Sequence, residues 1–382
     1  MKKTPPIFTE LAELAGFEFN GPNPWDPQIH DPRFYSRILH QGTLGSGESY
    51  MDGWWDCEQL DEFCNRVIRA NLPEKILKSG KILNLIWHKL NIFQAMVINL
   101  QTKKRALKVG EVHYDVGNNL YQKMLDKGMN YTCGYWKTAQ TLDEAQEAKV
   151  KLVCDKLYLK PGDRVLDIGC GWGGFAKYAA ENYGAHVVGV TISKEQLALG
   201  QERCKGLPVE LRFQDYRDVN EEFDHVVSLG MIEHVGYKNF KTYMNVAHRC
   251  LKQDGLFLLH TIGNSTPVLK PEAWIGKYIF PNSMVPSASQ LTKAYEGLFV
   301  MEDWHNFGPY YDKTLLAWFN NFNQAWPELK TDFGNERQQE RFYRMWRYYL
   351  LSCAGAFRSR DMQLWQIVLS KGGVPGGYTS IR

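Results

Sequence analysis

Residues 164–174, reading Arg-Val-Leu-Asp-Ile-Gly-Cys-Gly-Trp-Gly-Gly, restrict the fold of this 382-residue chain more than any other stretch. An apolar run of strand composition ends in glycines at 169, 171 and 173, and Phe175 to Ala180 then reads as a helix. A strand that turns through glycine into a helix opens a βαβ unit, whose turn lets a ligand press against bare backbone at a helix N-terminus. Gly169, Gly171 and Gly174 also satisfy the dinucleotide pattern G-x-G-x-x-G, so the spacing alone leaves the ligand open.

The neighbouring acids separate the readings. A nicotinamide site places an acid at the end of the second strand, roughly 20 residues on, to hold the ribose hydroxyls. Here that strand, His186 to Ile192, ends without Asp or Glu. Asp167 stands instead inside the first strand, two residues before Gly169, as in class I S-adenosylmethionine methyltransferases. Asp215, followed by Tyr216, closes the third strand (Val209 to Gln214), where an adenine edge would lie. A merely structural glycine turn leaves both acids unexplained.

From about residue 111 the chain alternates strand and helix, the pattern of a doubly wound sheet. Strands are predicted at 164–169, 186–191, 209–214, 224–229, 255–262, 299–305 and 363–370, with aromatic helices from Thr314 to Trp326 and Glu336 to Phe357. Segment 263–297 is a long insertion after the fifth strand, placed to help wall a substrate pocket at the carboxyl ends of the strands. Residues 1–74 read as short helices between turns, and the glycine-rich stretch 42–55 as a packed turn anchored by Trp54 and Trp55. The expected fold is therefore α/β, a Rossmann-like class I methyltransferase sheet with a smaller, mainly helical N-terminal domain. The expected domains are 1–105 and 106–382.

Charge is unevenly spread. Residues 1–74 carry a net −6 and residues 75–110 a net +8, with no acid in the second block. Ile82, Ile86, Leu90, Phe93, Val97 and Leu100 recur within that block at helical spacing. Apolar anchoring beside lysines fits a helix lying in a lipid interface, and equally a domain-bridging helix with solvated lysines. No nucleic-acid motif accompanies the block, so nucleic acid is not an expected partner. The eight cysteines lack any CxxC pair and read as free thiols of a reducing compartment. Glu10 and Glu13 interrupt any leader-like stretch, and no apolar run approaches the about 18 residues that span a bilayer. A cytoplasmic protein is expected, with any membrane contact peripheral on the inner face.

Chemistry-bearing residues gather where this fold places a site. Glu233-His234-Val235-Gly236 follows the fourth strand, and His260-Thr261-Ile262-Gly263 ends the fifth. A Glu and a His at adjacent strand ends point to function, where either alone reads as structural. Tyr131-Thr132-Cys133-Gly134-Tyr135-Trp136 precedes the sheet.

These stretches, with the glycine turn, Val188 to Ser193, Asp303 to Gly308, Cys353 to Phe357 and Gly47 to Trp55, occur in an order that resembles the cyclopropane fatty acid synthase and mycolic acid cyclopropane synthase family. The likeness runs essentially end to end. It implies methylene transfer from S-adenosyl-L-methionine to the cis double bond of an unsaturated acyl chain in a membrane phospholipid. It also implies a bound bicarbonate as the base and a homodimer, with no metal ion.

Carried over by the resemblance, the acceptor site comprises Cys133, Glu233, His260, Ile262 and Tyr311. Backbone amides of Cys133 and Ile262 would meet the anion, and Glu233 would orient it through a proton, since two bare anions repel. Cofactor contacts would be Tyr131, Thr132, Asp167, Gly169, Gly171, Gly173, Thr191, Gln196, Asp215 and Tyr216. Cys353 matches a cysteine the family carries as an active-site label, although its own context reads as core packing. Such a substrate favours the interfacial reading of residues 75–108. The rivals are a related lipid or phosphoethanolamine methyltransferase and a non-catalytic membrane-binding module.

Overall fold

The computed structural model describes residues 4–72 and 117–382, and these pack as two units. The basic block at 75–108 and the expected boundary at 105/106 both lie outside the described residues. The first unit joins its share of residues 4–72 to two later segments, Lys270–Pro281 and Tyr311–Met362. The second holds the rest of the described chain, so the insertion at 263–297 is divided between the two.

The first unit is helical apart from a two-stranded ribbon, β1 (Gln28–Ile29) against β2 (Trp55–Asp56). Residues 42–51 continue the helix Arg33–Met51 across a kink at Gly42, in place of the expected packed turn. Close approach explains the glycines. A Cβ on Gly47 would lie 2.3 Å from the Trp274 indole, so only glycine lets that buried ring seat on the helix. Of the two tryptophans, Trp55 is fully buried, whereas Trp54 lies under the guanidinium groups of Arg33 and Arg37.

The acidity of residues 1–74 finds its counterpart on the helix Glu336–Arg358. Arg344 reaches the Tyr50 carbonyl and Asp56, Arg347 the carbonyls of Cys57 and Glu58, and Arg358 both Asp61 and Asp312. Glu48 accepts from Lys277, Tyr278 and Arg37. Burial alone would raise this carboxyl, but those donors hold it at about 2.

The second unit is built on seven strands: β3 (Arg164–Ile168), β4 (His186–Thr191), β5 (Val209–Phe213), β6 (Phe223–Leu229), β7 (Leu251–Asn264), β8 (Val300–Asn306) and β9 (Met362–Ser370). All seven fall where the sequence predicts strands. Their spatial order is β5-β4-β3-β6-β7-β9-β8. The first five run parallel to one another, and β8 pairs antiparallel to β9. Near-continuous apolar burial along β3, β4 and β7 marks strands covered on both faces. The strand order reverses between β3 and β6, which makes their carboxyl ends the expected ligand crevice.

Candidate active site

The turn after β3 is held open by its own hydrogen bonds. Gly169 and Cys170 both donate to the Val190 carbonyl, at 3.0 and 3.1 Å, and Gly173 donates to that of Cys170. Gly171 has φ +53, and a Cβ built there would meet nothing within 4 Å. Its backbone therefore faces free space, as a ligand-cradling turn requires. Asp167, just before the turn, is 2% exposed. Burial lifts its carboxyl to about 7, against the opposing field of the Lys149 ammonium.

The turns after β6 and β7 bring the second cluster together. Leu229 and His260 are register partners on these parallel strands, and Glu233 sits in a short 3₁₀ turn, Ile232–His234. Glu233 Oε1 accepts the Ile262 main-chain N–H at 2.8 Å, while Oε2 has no partner. Burial raises this carboxyl to about 7 despite that amide. His260 is 1% exposed; its Nδ1 lies 3.4 Å from Gln366 Nε2, and its Nε2 is unpartnered. Burial, reinforced by the ammoniums of Lys149 and Lys156, holds the imidazole well below its usual pKa, so it is neutral. Two orphaned buried polar atoms thus stand at neighbouring strand ends, where buried polar groups ordinarily have partners.

An aromatic group adjoins His260. Phe307 lies 5.9 Å from the imidazole, and Tyr135 packs edge-on to Phe307 and Tyr310 at 5.2 and 5.5 Å. Such ring faces stabilise positive charge in a dry setting.

The remaining sequence-derived residues distribute as follows. Cys133 is fully buried, and Thr132 accepts from Lys149 Nζ through its hydroxyl (3.0 Å) and from Gln146 through its carbonyl (2.7 Å). Tyr131 packs against Tyr121. Thr191 donates to Gln196 Oε1 at 3.1 Å, so these two side chains form one buried polar pair after β4. Both oxygens of Asp215 are taken by Arg217, and the buried Tyr216 hydroxyl has no partner. Gly169, Gly171, Gly173, Asp167, Glu233, His260 and Ile262 thus share the carboxyl-end turns of β3, β6 and β7.

Tyr311 and Cys353 are side chains of the first unit. Tyr311 is buried with its ring 4.5 Å from Phe357. Burial pushes the Cys353 thiol up to about 12. All eight cysteines are free, as expected.

Sequence reasoning missed two fully buried lysines on the helix Leu142–Lys156. Lys149 donates to Asn130 Oδ1 and Thr132, while Lys156 lies 3.4 Å from Asp303 and 3.1 Å from His305. Burial lowers both to about 8 against the pull of Asp126 and Asp303 respectively, so both stay charged at neutral pH. A signal existed. Positions 142, 145, 149, 153 and 156 form one helical stripe whose other members are apolar, which marks the lysines as inward-facing.

Comparison with known proteins assigns the family. The family model described as mycolic acid cyclopropane synthetase matches residues 101–367. The chain is 54% identical over 366 residues to the cyclopropane-fatty-acyl-phospholipid synthase of Escherichia coli (strain K12), covering 96% of this chain and 93% of that one. The chain belongs to the mycolic acid cyclopropane synthetase family. Solved members of that kind share the fold. The cyclopropane synthase MmaA2 from Mycobacterium tuberculosis superposes with a TM-score of 0.65 at 29% identity, covering 72% of this chain and 100% of that one. Mycolic acid cyclopropane synthase CmaA1, complexed with SAH and CTAB, gives 0.63 at 29% identity, covering 69% and 98%. As a member of this family the chain is an S-adenosylmethionine-dependent methyltransferase with the class I sheet. No helix among the described residues is long and apolar enough to cross a membrane.

Proposed function

We propose that this enzyme transfers a methylene group from S-adenosylmethionine to the cis double bond of an unsaturated acyl chain in a membrane phospholipid, closing a cyclopropane ring. The E. coli relative bears that activity in its name, and its 54% identity over nearly the whole chain supports the same substrate class. S-adenosylmethionine supplies an electrophilic methyl on positively charged sulfur. The alkene's π electrons form the new carbon–carbon bond while the carbon–sulfur pair departs to sulfur. The carbocation left on the lipid then loses a proton from the added methyl, and that C–H electron pair closes the ring.

The residues divide this work. The open backbone at Gly171 and the buried Asp167 fit a cationic ligand held at the β3 turn. Tyr131, Thr132, Gly169, Gly173, Thr191, Gln196, Asp215 and Tyr216 complete the proposed cofactor contacts. Bicarbonate, when bound, supplies the base that the ring-closing step requires. The observation that carries this assignment is the pair of unpartnered buried atoms, Glu233 Oε2 and His260 Nε2. A Glu233 carboxyl raised to about 7 carries its proton on Oε2, since Oε1 is occupied, and donates to an anion without repelling it. His260, neutral, donates through Nε2. Cys133 and Tyr311 are assigned to the same anion, and the rings of Tyr135, Phe307 and Tyr310 stabilise the cation.

Cys353 is given no bond-making role. A thiol at about 12 is not ionised near neutral pH, and direct alkene attack needs no covalent intermediate. Residues 75–108 are assigned to contact with the anionic inner leaflet, and the enzyme to a homodimer. Vesicle binding at low salt by a Lys103/Lys104/Arg105→Ala variant tests the leaflet contact; unchanged binding would exclude it. The activity itself is tested with purified protein, methyl-labelled S-adenosylmethionine and vesicles of unsaturated phospholipid. The expected product retains the label, is one CH2 heavier in the acyl chain and keeps its head group unchanged.

A further inference from the structure

Gln366 is a buried amide in the middle of the apolar run Leu364-Trp365-Gln366-Ile367-Val368-Leu369 on β9, with no exposed surface. Such a position favours an aliphatic side chain, because burying an amide without full pairing is costly. Its side-chain bond is to His260 Nδ1, and its Oε1 has no partner. The orientation follows from the donor count. With Nε2 toward the imidazole, one N–H is paired and one N–H and the carbonyl oxygen are left over; turned over, both N–H groups would be stranded, and buried donors are left unpaired less readily than carbonyl oxygens.

We infer that Gln366 is a positioning residue for the reaction, fixing His260 in the tautomer that carries its proton on Nε2. The inference rests on the reading of His260 as a donor to the proton acceptor. A neutral imidazole has one donor and one acceptor nitrogen, and the partner of one fixes the role of the other. An amide N–H pointing at Nδ1 makes Nδ1 the acceptor, so the proton sits on the unpartnered Nε2. The surroundings keep the ring from taking a second proton: burial opposes it first, and the ammoniums of Lys149 and Lys156 add to that. The adjoining ring, Phe307, offers neither donor nor acceptor. His260 is thus presented as a neutral hydrogen-bond donor, with a geometry set from behind by β9.

The test uses the intact enzyme labelled with 15N-histidine, in which the His260 resonances are assigned by their loss in His260→Asn. The wild-type protein is expected to show the Nε2–H tautomer before any ligand is added. Gln366→Glu places an acceptor opposite Nδ1 and is expected to move the proton there. Gln366→Leu is expected to release the preference, giving a mixture. In Gln366→Glu kcat should fall at least about tenfold, the scale of a misplaced proton donor, and in Gln366→Leu only in proportion to the Nε2–H population lost, with affinity for S-adenosylhomocysteine unchanged in both. A wild-type Nδ1–H tautomer, or a Gln366→Glu variant that leaves both the tautomer and kcat unaltered, would overturn the inference. Should the tautomer follow Gln366 while His260→Asn stays fully active, the positioning stands and the catalytic reading of His260 fails instead. A Gln366→Leu protein that does not fold leaves the decision with Gln366→Glu, which keeps size and polarity.

Discussion

The main-chain amide of Ile262 donates to Oε1 of Glu233 at 2.8 Å, tying the end of β7 to the turn after β6 and leaving Oε2 as the free end of a buried carboxyl. That one bond reassigns an expected donor: the Ile262 amide serves the carboxyl, whose other oxygen stays buried and unpartnered. Its consequence is measurable in stability. Burial raises Glu233 from an ordinary 4.5 to about 7, so the folded state holds this proton more tightly than the unfolded chain does. The associated stability is present below about 4.5 and is lost as pH rises through about 7. Urea unfolding at about pH 5 and about pH 8 should show wild type losing stability relative to Glu233→Gln, which does not titrate. A difference that stays constant across that window would refute a raised carboxyl.

Asp167 titrates in the same range for the same reason, burial, with Lys149 opposing. It is assigned to attract a cationic ligand, so binding should strengthen as it ionises. Calorimetry should show affinity for S-adenosylmethionine rising between about pH 6 and pH 8. Asp167→Asn should flatten that profile and weaken binding about tenfold or more, the scale of a lost charge-assisted contact.

Gly47 is a packing device. The Cβ of Gly47→Ala would stand 2.3 Å from the Trp274 ring, which is fully enclosed and cannot retreat. Overpacking of this kind costs about 1–3 kcal/mol, to be read as a lowered urea midpoint. An unchanged midpoint would mean that the indole has room to move.

Cys353→Ala should retain kcat within about twofold, because a thiol held at about 12 supplies no thiolate at neutral pH. Loss of activity with an unaltered fold would restore the catalytic label.

Legibility in the sequence followed locality. Each strand of the sheet carries its own apolar run and turn chemistry, so all seven were readable, and the glycine turn identified the ligand class once read with Asp167, the missing acid after β4 and Asp215. Less legible was anything fixed by distant partners. Nothing near Arg344 or Arg347 states that they pair with backbone carbonyls some 290 positions earlier, as the bonds to Tyr50 and Cys57 do. The stretch at 42–51 looked like a turn because glycine is a poor helix former; Trp274, which makes glycine necessary at 47, lies more than 200 residues away. Lys149 and Lys156 were missed because lysines on a helix ordinarily mark its wet side. The apolar stripe they share shows otherwise.

The most direct test of the central claim is the acyl-chain product formed from methyl-labelled S-adenosylmethionine on vesicles of unsaturated phospholipid, scored by mass spectrometry for wild type and His260→Asn. The account predicts a labelled, ring-closed chain one CH2 heavier from the wild type, and a loss of that product in the variant with cofactor binding intact. Label recovered on the head group, or full product from His260→Asn, would contradict it.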